Sequence, residues 1–580
     1  MHDPDCDLLI FDWRAEKSPP RRVDSLGALG SMTWAGKTLL VEARQITDLA
    51  SLFVPTVQLH AIDAETGTSK PLGKGKAIIG ASLVHADPDG RFALVASARD
   101  TLTAPGVDRV DLATGATTRV EKPTRDIRRW LADGQGVIRA GMSYGATRWK
   151  LHFRDAPGAE FRTIEAQRYD ETAGSDVGIA RILSADGRGY IMTNGPTGRH
   201  AVYAYDFRTD TYGETLWSHP ESDAVSASSN PITGALESVT WEDDRPRVKW
   251  FHADLAALQA QLDRKFPDHE NAIVNRSRDG NFVLFVSRAP HHPGTYYVFD
   301  RKARRMQVFA AVVDGLAEAK LAPVRPIRYS ARDGLSIPAY LTLPSGRTGK
   351  DLPLVVMPHG GPFVRDSWTY DPFVQFLASR GYAVLQPNFR GSTGYGVEFL
   401  AKAYGQFGRA MQDDIDDGVD ELVKQGIVDP KRVCIMGASY GGYAAIWGAM
   451  RNPERYRCAV SFAGVTDVKA MLRVERGRTD RKYYRHLEAQ IRGADKADMD
   501  AVSPVRQAAR LTIPLLLAHG EQDSNVPPEQ ARKLVAALKK ARRPVETVYY
   551  PHAGHGLTRP QDMADYLRRV EAFLAKHNPA

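Results

Sequence analysis

The sequence predicts an N-terminal all-β propeller of six to seven blades, residues 1–320, followed by an α/β domain with a doubly wound, mostly parallel sheet, residues 321–580. Two observations predict this fold class. The first part repeats a turn followed by a strand, and the second part alternates apolar strands with helices. The 580-residue length also exceeds that of one ordinary domain, so at least two domains are expected.

The propeller prediction depends on a glycine-containing turn that recurs before a strand. The turn glycines are positions 36, 90, 134, 187, 234 and 280, which are 44 to 54 residues apart. A period of about 45 residues with about four strands is typical of a propeller blade. The apolar segment 8–11 has no earlier strand to pair with, so it either completes a seventh blade or follows an upstream segment. A pair of ordinary β-sandwiches is the alternative.

The second domain is predicted from a change of pattern after Pro323, Pro326 and the polar segment 329–334. Residues 352–358 are a continuous apolar run, which predicts a strand buried in a parallel sheet. Further strands are predicted at 382–386, 432–436, 458–462, 513–518 and 545–550. Helices are predicted at 413–424, 444–450, 529–540 and 563–576. This alternation indicates a sheet with helices on both faces.

Charge and cysteine content exclude several classes of protein. The net charge of +8 divides into −2 for residues 1–320 and +10 for residues 321–580. No dense basic run is interleaved with aromatic residues, so a nucleic-acid partner is not expected. No apolar stretch approaches a transmembrane length, and the acidic N-terminus does not resemble an export signal. Three cysteines cannot build a disulfide framework or a four-cysteine zinc site, so we expect a cytoplasmic protein, or a periplasmic one if the N-terminus is incomplete.

The sequence Gly437-Ala-Ser439-Tyr-Gly441 follows a predicted strand and precedes a predicted helix. Small flanking residues at such a position permit a strained turn that exposes the serine hydroxyl, known as a nucleophile elbow. The pattern alone is weak, because Gly141-Met-Ser143-Tyr-Gly145 matches it as well. That copy lies between propeller strands with no helix after it, so we interpret Ser143 as structural.

A serine hydroxyl needs a base to take its proton and an acid to orient that base. Both should lie on loops after later strands. Asp523 is preferred over Glu521 as the acid, because it lies deeper in its loop. His555 is preferred over His552 as the base, because glycines flank it. The order Ser, Asp, His is that of α/β-hydrolases.

The transition state of acyl transfer also needs hydrogen-bond donors for the developing oxyanion. One donor is the amide of Tyr440, the residue after the serine. The second should come from a loop after an early strand of the sheet. His359-Gly-Gly-Pro362 fits this position, since glycines expose backbone N–H groups and allow close approach.

Five ordered motifs carry a resemblance to a known family. They are His359-Gly-Gly-Pro362, Asn388-Phe-Arg-Gly-Ser-Thr-Gly-Tyr-Gly396, Gly437-Ala-Ser-Tyr-Gly-Gly442, His519-Gly-Glu-Gln-Asp-Ser-Asn-Val-Pro527 and Ala553-Gly-His-Gly556. Together they resemble the prolyl oligopeptidase family of serine peptidases, and most of all its acylaminoacyl-peptidase branch. The motifs cover roughly residues 325–575, whereas the propeller is similar in architecture alone.

The resemblance implies Ser439 as nucleophile, Asp523 as orienting acid and His555 as general base. It implies the amides of Gly361 and Tyr440 as the oxyanion hole. It further implies a propeller that admits short or flexible peptides and excludes folded proteins. The expected partner is a peptide substrate, no metal, cofactor or membrane is expected, and a homo-oligomer is compatible with the sequence.

Several alternatives stay open at this point. A carboxylesterase would use the same triad, a specialised peptidase would cleave constrained or isopeptide-linked peptides, and a propeller platform could carry a vestigial hydrolase. Dipeptidyl peptidases of the family hold a free amino terminus with a Glu-Glu pair, and this chain contains no Glu-Glu dipeptide, so dipeptidyl peptidase activity is not expected. Residues 469–485 have a net charge of +5. This segment would attract carboxylates, although a solvated insertion or subunit contact is the interpretation that the sequence favours.

Overall fold

The computed structural model describes residues 8–11, 19–23, 26, 28–49, 52–72, 82–97, 104–124, 127–144, 149–164, 177–184, 186–230, 233–316, 319–347, 349–479 and 481–580. Contacts between residues divide the chain into two compact units. The first consists of His2–His219 and Ser226–Val239, and the second of Pro220–Val225 and Thr240–Ala580. The predicted boundary at 320/321 marks a change in strand pattern, and it stays a prediction.

Within the described residues, the N-terminal part contains six antiparallel sheets of a β-propeller and one short ribbon. The ribbon pairs β1 (Leu8–Ile10) with β2 (Arg21–Val23). The first three sheets are β3 (Ala28–Ala35), β4 (Thr38–Leu49), β5 (Leu52–Asp63) and β6 (Ser69–Pro71); β7 (Ser82–Ala86), β8 (Phe92–Ser97), β9 (Gly106–Asp111) and β10 (Thr117–Glu121); and β11 (Arg129–Ala132), β12 (Ile138–Tyr144), β13 (Trp149–Phe153) and β14 (Arg162–Ile164). The last three are β15 (Val177–Ile182), β16 (Arg188–Thr193), β17 (Ala201–Asp206) and β18 (Thr211–Trp217); β19 (Ala224–Ser229), β20 (Leu236–Glu242) and β21 (Pro246–Trp250); and β22 (Glu270–Arg276), β23 (Phe282–Ala289), β24 (His292–Asp300) and β25 (Arg305–Ala311).

This architecture confirms the propeller and excludes the β-sandwich alternative. Five of the six predicted turn glycines have a positive φ, which glycine adopts without steric cost. In the third turn the left-handed residue is Gly136 instead of Gly134. One helix, α1 (Ala253–Lys265), lies between the last two sheets and was not predicted. Its Leu255, Leu258 and Leu262 recur at helical spacing and are buried.

The C-terminal part is the predicted doubly wound α/β domain. Its eight strands are ordered β26-β27-β29-β28-β30-β31-β32-β33, antiparallel at the β26–β27–β29 edge and parallel from β29 to β33. The strands are β26 (Val324–Ser330), β27 (Ser336–Thr342), β28 (Leu352–Val356), β29 (Ala383–Pro387), β30 (Val428–Ala438), β31 (Cys458–Phe462), β32 (Leu515–Gly520) and β33 (Glu546–Tyr550). The helices are α2 (Pro372–Ser379), α3 (Gly396–Ala401), α4 (Ala410–Lys424), α5 (Tyr440–Arg451), α6 (Val468–Arg478), α7 (Arg481–Arg492), α8 (Glu529–Lys540) and α9 (Pro560–His577), with 3₁₀ turns at Pro504–Arg506 and Ala508–Arg510.

Hydrophobic cores cover both faces of this sheet. Leu354 and Val356 of β28 point into the core that also contains α4, α5 and α8, whereas Val355 points into the core that contains α2 and α9. Such alternation follows from the two-residue period of a strand. The carboxyl ends of the parallel strands therefore meet at one edge of a rigid sheet, where ligand sites of open α/β folds lie.

Two further findings concern the chain as a whole. Cys434 of β30 and Cys458 of β31 are cross-strand neighbours, and they form a fully buried disulfide. The cysteine count did not indicate this bond, which is typical of oxidising compartments. It argues against the expected reducing compartment, and the location of the protein stays a prediction. Among the described residues, no helix is both long and apolar enough to span a membrane.

Candidate active site

Ser439 lies between the end of β30 and the start of α5, in a sharp turn. Its φ of 57° is in the left-handed region, which a residue with a side chain rarely adopts. The Ser439 N–H donates to the carbonyl of Phe462 at 2.9 Å, which fixes the turn on the neighbouring strand β31. The backbone is thus held in the strained conformation that presents a side chain at the sheet edge.

The glycines around Ser439 are required by close packing. A Cβ at Gly437 would lie 2.4 Å from the carbonyl carbon of Gly441, and a Cβ at Gly441 would lie 2.1 Å from the oxygen of Pro358. Neither distance is possible for real atoms. The sequence pattern therefore has a steric cause, since strand, turn and helix approach one another more closely than side chains allow.

The loop from His359 to Pro362 lies against this turn. A Cβ at Gly360 would be 3.6 Å from the Cβ of Ser439, which is van der Waals contact. Gly361 follows with a φ of 105°, a conformation that favours glycine. Tyr440 is the first residue of α5, where backbone N–H groups have no acceptor inside the helix. The two predicted oxyanion donors are thus on segments that adjoin the serine.

The side chain of His359 is hydrogen-bonded through both of its ring nitrogens. Its imidazole is buried, with Nδ1 2.8 Å from the carbonyl oxygen of Gly360 and Nε2 2.8 Å from the hydroxyl of Ser392. Burial lowers the pKa of His359 to about 4, so the ring is neutral at physiological pH. We infer that His359 has a supporting role, because both ring nitrogens already have partners.

Asp523 and His555 are joined by a short hydrogen bond. Nδ1 of His555 is 2.8 Å from Oδ2 of Asp523. The other carboxylate oxygen accepts the N–H groups of Asn525 and Val526, both at 2.9 Å. The Asp523 side chain is completely buried, whereas that of His555 is 28% exposed. A buried, doubly anchored carboxylate can therefore orient an accessible imidazole.

The alternative acid and base that the sequence offered, Glu521 and His552, have different surroundings. Glu521 lies on the same loop but pairs with Arg532 at 3.1 Å, and His552 is exposed. Gly520 explains why the two loops meet, since a Cβ there would lie 2.1 Å from the oxygen of Gly554. The glycine allows the loop that carries His555 to contact the end of β32.

His519 is a neighbour of this pair that the sequence analysis did not single out. The ring is fully buried, and its Nε2 is 2.8 Å from the carbonyl oxygen of Val526 and 3.5 Å from Oδ2 of Asp523. Burial lowers the pKa of His519, which leaves the ring neutral with its proton on Nε2. The bond from His519 to Val526 ties together the two ends of the Asp523 loop.

The Asn388–Gly396 motif builds a scaffold beside the site. The buried Asn388 amide donates to the Tyr395 hydroxyl and to the carbonyl of Asp366, and it accepts the Asp366 N–H. Arg390 makes two hydrogen bonds with the buried carboxylate of Asp414, at 2.8 and 2.7 Å. These residues are satisfied by one another, so their contribution is to hold the loops in place.

Ser143, the second serine in a Gly-x-Ser-x-Gly pattern, has a different setting. It lies within strand β12, where its hydroxyl is 2.9 Å from Nε2 of His152 on the paired strand β13. The element that follows is a strand and not a helix. Without a strand-to-helix turn, the backbone does not present Ser143 as it presents Ser439.

The propeller is followed by an α/β domain with a serine in a strained strand-to-helix turn, an arrangement typical of α/β-hydrolases. The family model for the prolyl oligopeptidase family matches residues 368–579. The chain is 30% identical over 542 residues to dipeptidyl aminopeptidase BIII of Pseudoxanthomonas mexicana, covering 89% of this chain and 76% of that protein. The chain therefore belongs to the prolyl oligopeptidase family, and it is a serine peptidase, as the motifs predicted.

One further relative covers less of the chain, and one solved structure matches nearly all of it at low identity. The acylamino-acid-releasing enzyme of Homo sapiens is 31% identical over 253 residues, which cover 42% of this chain and 34% of that enzyme. A solved puromycin-hydrolyzing peptidase of Mycobacterium tuberculosis superposes with a TM-score of 0.70 and 19% identity, covering 95% of this chain and 94% of that one. The second similarity supports the fold alone, because its sequence identity is low.

Proposed function

We propose that this chain cleaves short or flexible oligopeptides through an acyl-enzyme intermediate, with Ser439, His555 and Asp523 as its catalytic triad. The observation that carries the proposal is the 2.8 Å bond between His555 and Asp523. It lies on loops after β32 and β33, at the sheet edge where the strained turn presents Ser439. The proposal needs no metal and no cofactor.

The chemistry follows from the proton positions. The Nδ1–H of His555 donates to Asp523, so Nε2 is free to take the hydroxyl proton of Ser439 as its oxygen attacks the peptide carbonyl. The oxyanion that forms would accept hydrogen bonds from the amides of Gly361 and Tyr440. His555 then returns the proton to the leaving amine, and a water molecule, activated by the same histidine, hydrolyses the ester.

Ser439→Ala is the direct test. Removing the nucleophile should lower kcat by about 10⁶-fold, since the remaining groups cannot form the acyl-enzyme. Ser143→Ala is the matched control, because it removes a hydroxyl from the same sequence pattern in a strand. Turnover is measured with a chromogenic peptide anilide, and circular dichroism melting checks that both variants fold. Turnover retained in Ser439→Ala would contradict the proposal, as would turnover lost in Ser143→Ala alone.

Substrate profiling separates the remaining candidates. The named relatives suggest two exopeptidase types, one acting as a dipeptidyl aminopeptidase and one releasing acylamino acids. Dipeptide anilides with free and with acylated amino ends therefore distinguish between them, and a p-nitrophenyl ester tests for a carboxylesterase. Failure of a fluorophosphonate to label Ser439 would instead favour a vestigial hydrolase that serves as an interaction platform.

A further inference from the structure

Helices α6 and α7 form a pair that connects two loops of the proposed active site. At one end, the guanidinium of Arg478 in α6 donates to the carbonyl of Asn525 at 3.0 Å, two residues after Asp523. At the other end, the amide of Gln490 in α7 is 3.1 Å from the hydroxyl of Tyr404. The helix pair therefore adjoins the loop that carries the acid of the triad.

The second connection continues toward the oxyanion loop. The ring of Tyr404 contacts the ring of Phe363 edge to face, with centroids 6.0 Å apart. Phe363 follows Pro362 directly, two residues after Gly361. Both ends of the helix pair are thus held close to the loops at the edge of the sheet where a bound peptide would lie.

Four arginines of this helix pair are exposed: Arg473 and Arg476 of α6, and Arg481 and Arg485 of α7. Three- and four-residue spacings place each two on one face of their helix. The inward faces pack through Leu472 of α6 and through Tyr484 and Ile491 of α7. Within the part of the chain that the structure describes, none of the four arginines forms an ion pair.

Other basic residues of the same helices form ion pairs with acidic residues. Lys469 pairs with Asp498 and Asp500, at 2.7 and 2.6 Å. Arg492 pairs with Glu488 at 2.9 Å. A solvated surface usually intersperses both signs of charge in this way. The four exposed arginines differ from that arrangement, because none of them forms an ion pair with a carboxylate of the described residues.

The geometry points to a preference for acidic peptides, with Arg473, Arg476, Arg481 and Arg485 as a basic surface that binds substrate carboxylates. This inference rests on the proposed function, since it assigns a substrate class to the same site. A cationic surface beside a binding site raises the local concentration of anionic ligands and speeds their association. Guanidinium groups also bind carboxylates in a bidentate geometry.

The first experiment measures binding without turnover. Fluorescently labelled, C-terminally amidated peptides that carry several glutamates, or glutamines at the same positions, are titrated into the Ser439→Ala protein at low salt. We expect the glutamate peptide to bind about ten-fold more tightly, and the difference to vanish at 1 M salt, where the Debye length is about 3 Å. Equal affinity for the two peptides, or no binding of either, would overturn the inference.

A third peptide identifies the source of the carboxylate. The glutamine peptide with a free C-terminus carries one terminal carboxylate and no acidic side chain. If this peptide binds more tightly than its amidated form, the basic surface also binds terminal carboxylates. If the two bind equally, the basic surface binds only acidic side chains.

Substitutions localise the effect. Arg473→Gln with Arg476→Gln should reduce the glutamate preference about five-fold, and Arg481→Gln with Arg485→Gln should do likewise. Lys539→Gln with Lys540→Gln is the matched control, because these exposed lysines end α8 at the opposite edge of the sheet. Equal losses in all three double variants would reject the basic surface as the cause.

Turnover by the native protein tests the proposed function separately. Cleavage of the glutamine peptide without a glutamate preference would reject this inference and leave the hydrolase proposal intact. Conversely, a glutamate preference in binding without cleavage of any peptide would retain the basic surface and reject the hydrolase proposal.

Discussion

At the scale of single residues, the hydrogen-bond and ion-pair partners of each polar group distinguish the residues of the candidate site from their neighbours. Glu521 and Asp523 lie on one loop, but Glu521 is paired with Arg532, whereas Asp523 is buried against His555. The sequence could state a preference for Asp523, because depth in a loop follows from position, and that preference stays a prediction. It could not reveal His519, whose burial beside Asp523 depends on how strands β31, β32 and β33 pack.

Asp523→Asn should lower kcat by about 10⁴-fold, because an amide at that position no longer holds His555 in the tautomer that accepts the serine proton. Glu521→Gln is the matched control, and it should leave kcat within about two-fold, because its partner Arg532 is a surface residue. Steady-state kinetics on one peptide anilide measure both variants. A larger loss of kcat in Glu521→Gln than in Asp523→Asn would show that Glu521, and not Asp523, is the orienting acid.

At the scale of elements, helix α4 shows where pattern-based prediction ends. The sequence predicted this helix at residues 413–424, so its acidic residues would lie in its first turns, where carboxylates favour a helix N-terminus. The helix begins earlier, at Ala410, and Asp414, Asp416 and Asp417 are buried instead. Their partners come from distant segments: Asp414 bonds to Arg390, and Asp417 to Arg332. No local pattern contains these pairings, because they depend on tertiary contacts.

Asp416 of α4 makes the stability of the protein depend on pH. It accepts hydrogen bonds from Tyr456 and Asn452, yet burial raises its pKa to about 6. Because this value exceeds the unfolded pKa of about 3.9, the folded state retains the proton longer as pH rises. The contribution of Asp416 to the free energy of unfolding therefore falls between about pH 4 and pH 6, by about 3 kcal/mol in total.

Asp416→Asn should remove this part of the pH dependence. Urea unfolding at several pH values from 4 to 7 measures it, as the difference between the unfolding free energies of the native protein and the variant. Asp420→Asn, on the exposed side of the same helix, controls for the loss of a charge. A difference that does not change with pH would show that Asp416 is not the titrating group.

At the scale of the whole molecule, the sequence predicted both architectures but not which segments pack together. The period of turn glycines and the alternation of apolar strands are local, and both predictions are confirmed. The compact unit that contains the α/β domain, however, also includes Pro220–Val225 and the stretch from Thr240 onward, where propeller strands and the loops between them precede that domain. Glu242 explains part of this, since its carboxylate accepts the Trp368 N–H at 3.0 Å and the Ser367 hydroxyl at 2.8 Å. Gln375 of α2 likewise bonds to Pro290 and Ala322.

The propeller itself leads to a prediction about the size of the substrate. If it restricts access as the family resemblance implies, a cleavable sequence should be cut as a free peptide and resist cleavage inside a folded domain. We expect at least about a hundred-fold difference in rate, because an embedded segment reaches the site only when its domain unfolds. The control is the same short domain, unfolded by a destabilising substitution. Mass spectrometry identifies the cleavage sites. Equal cleavage of the folded and the unfolded domain would mean that the propeller does not select substrates.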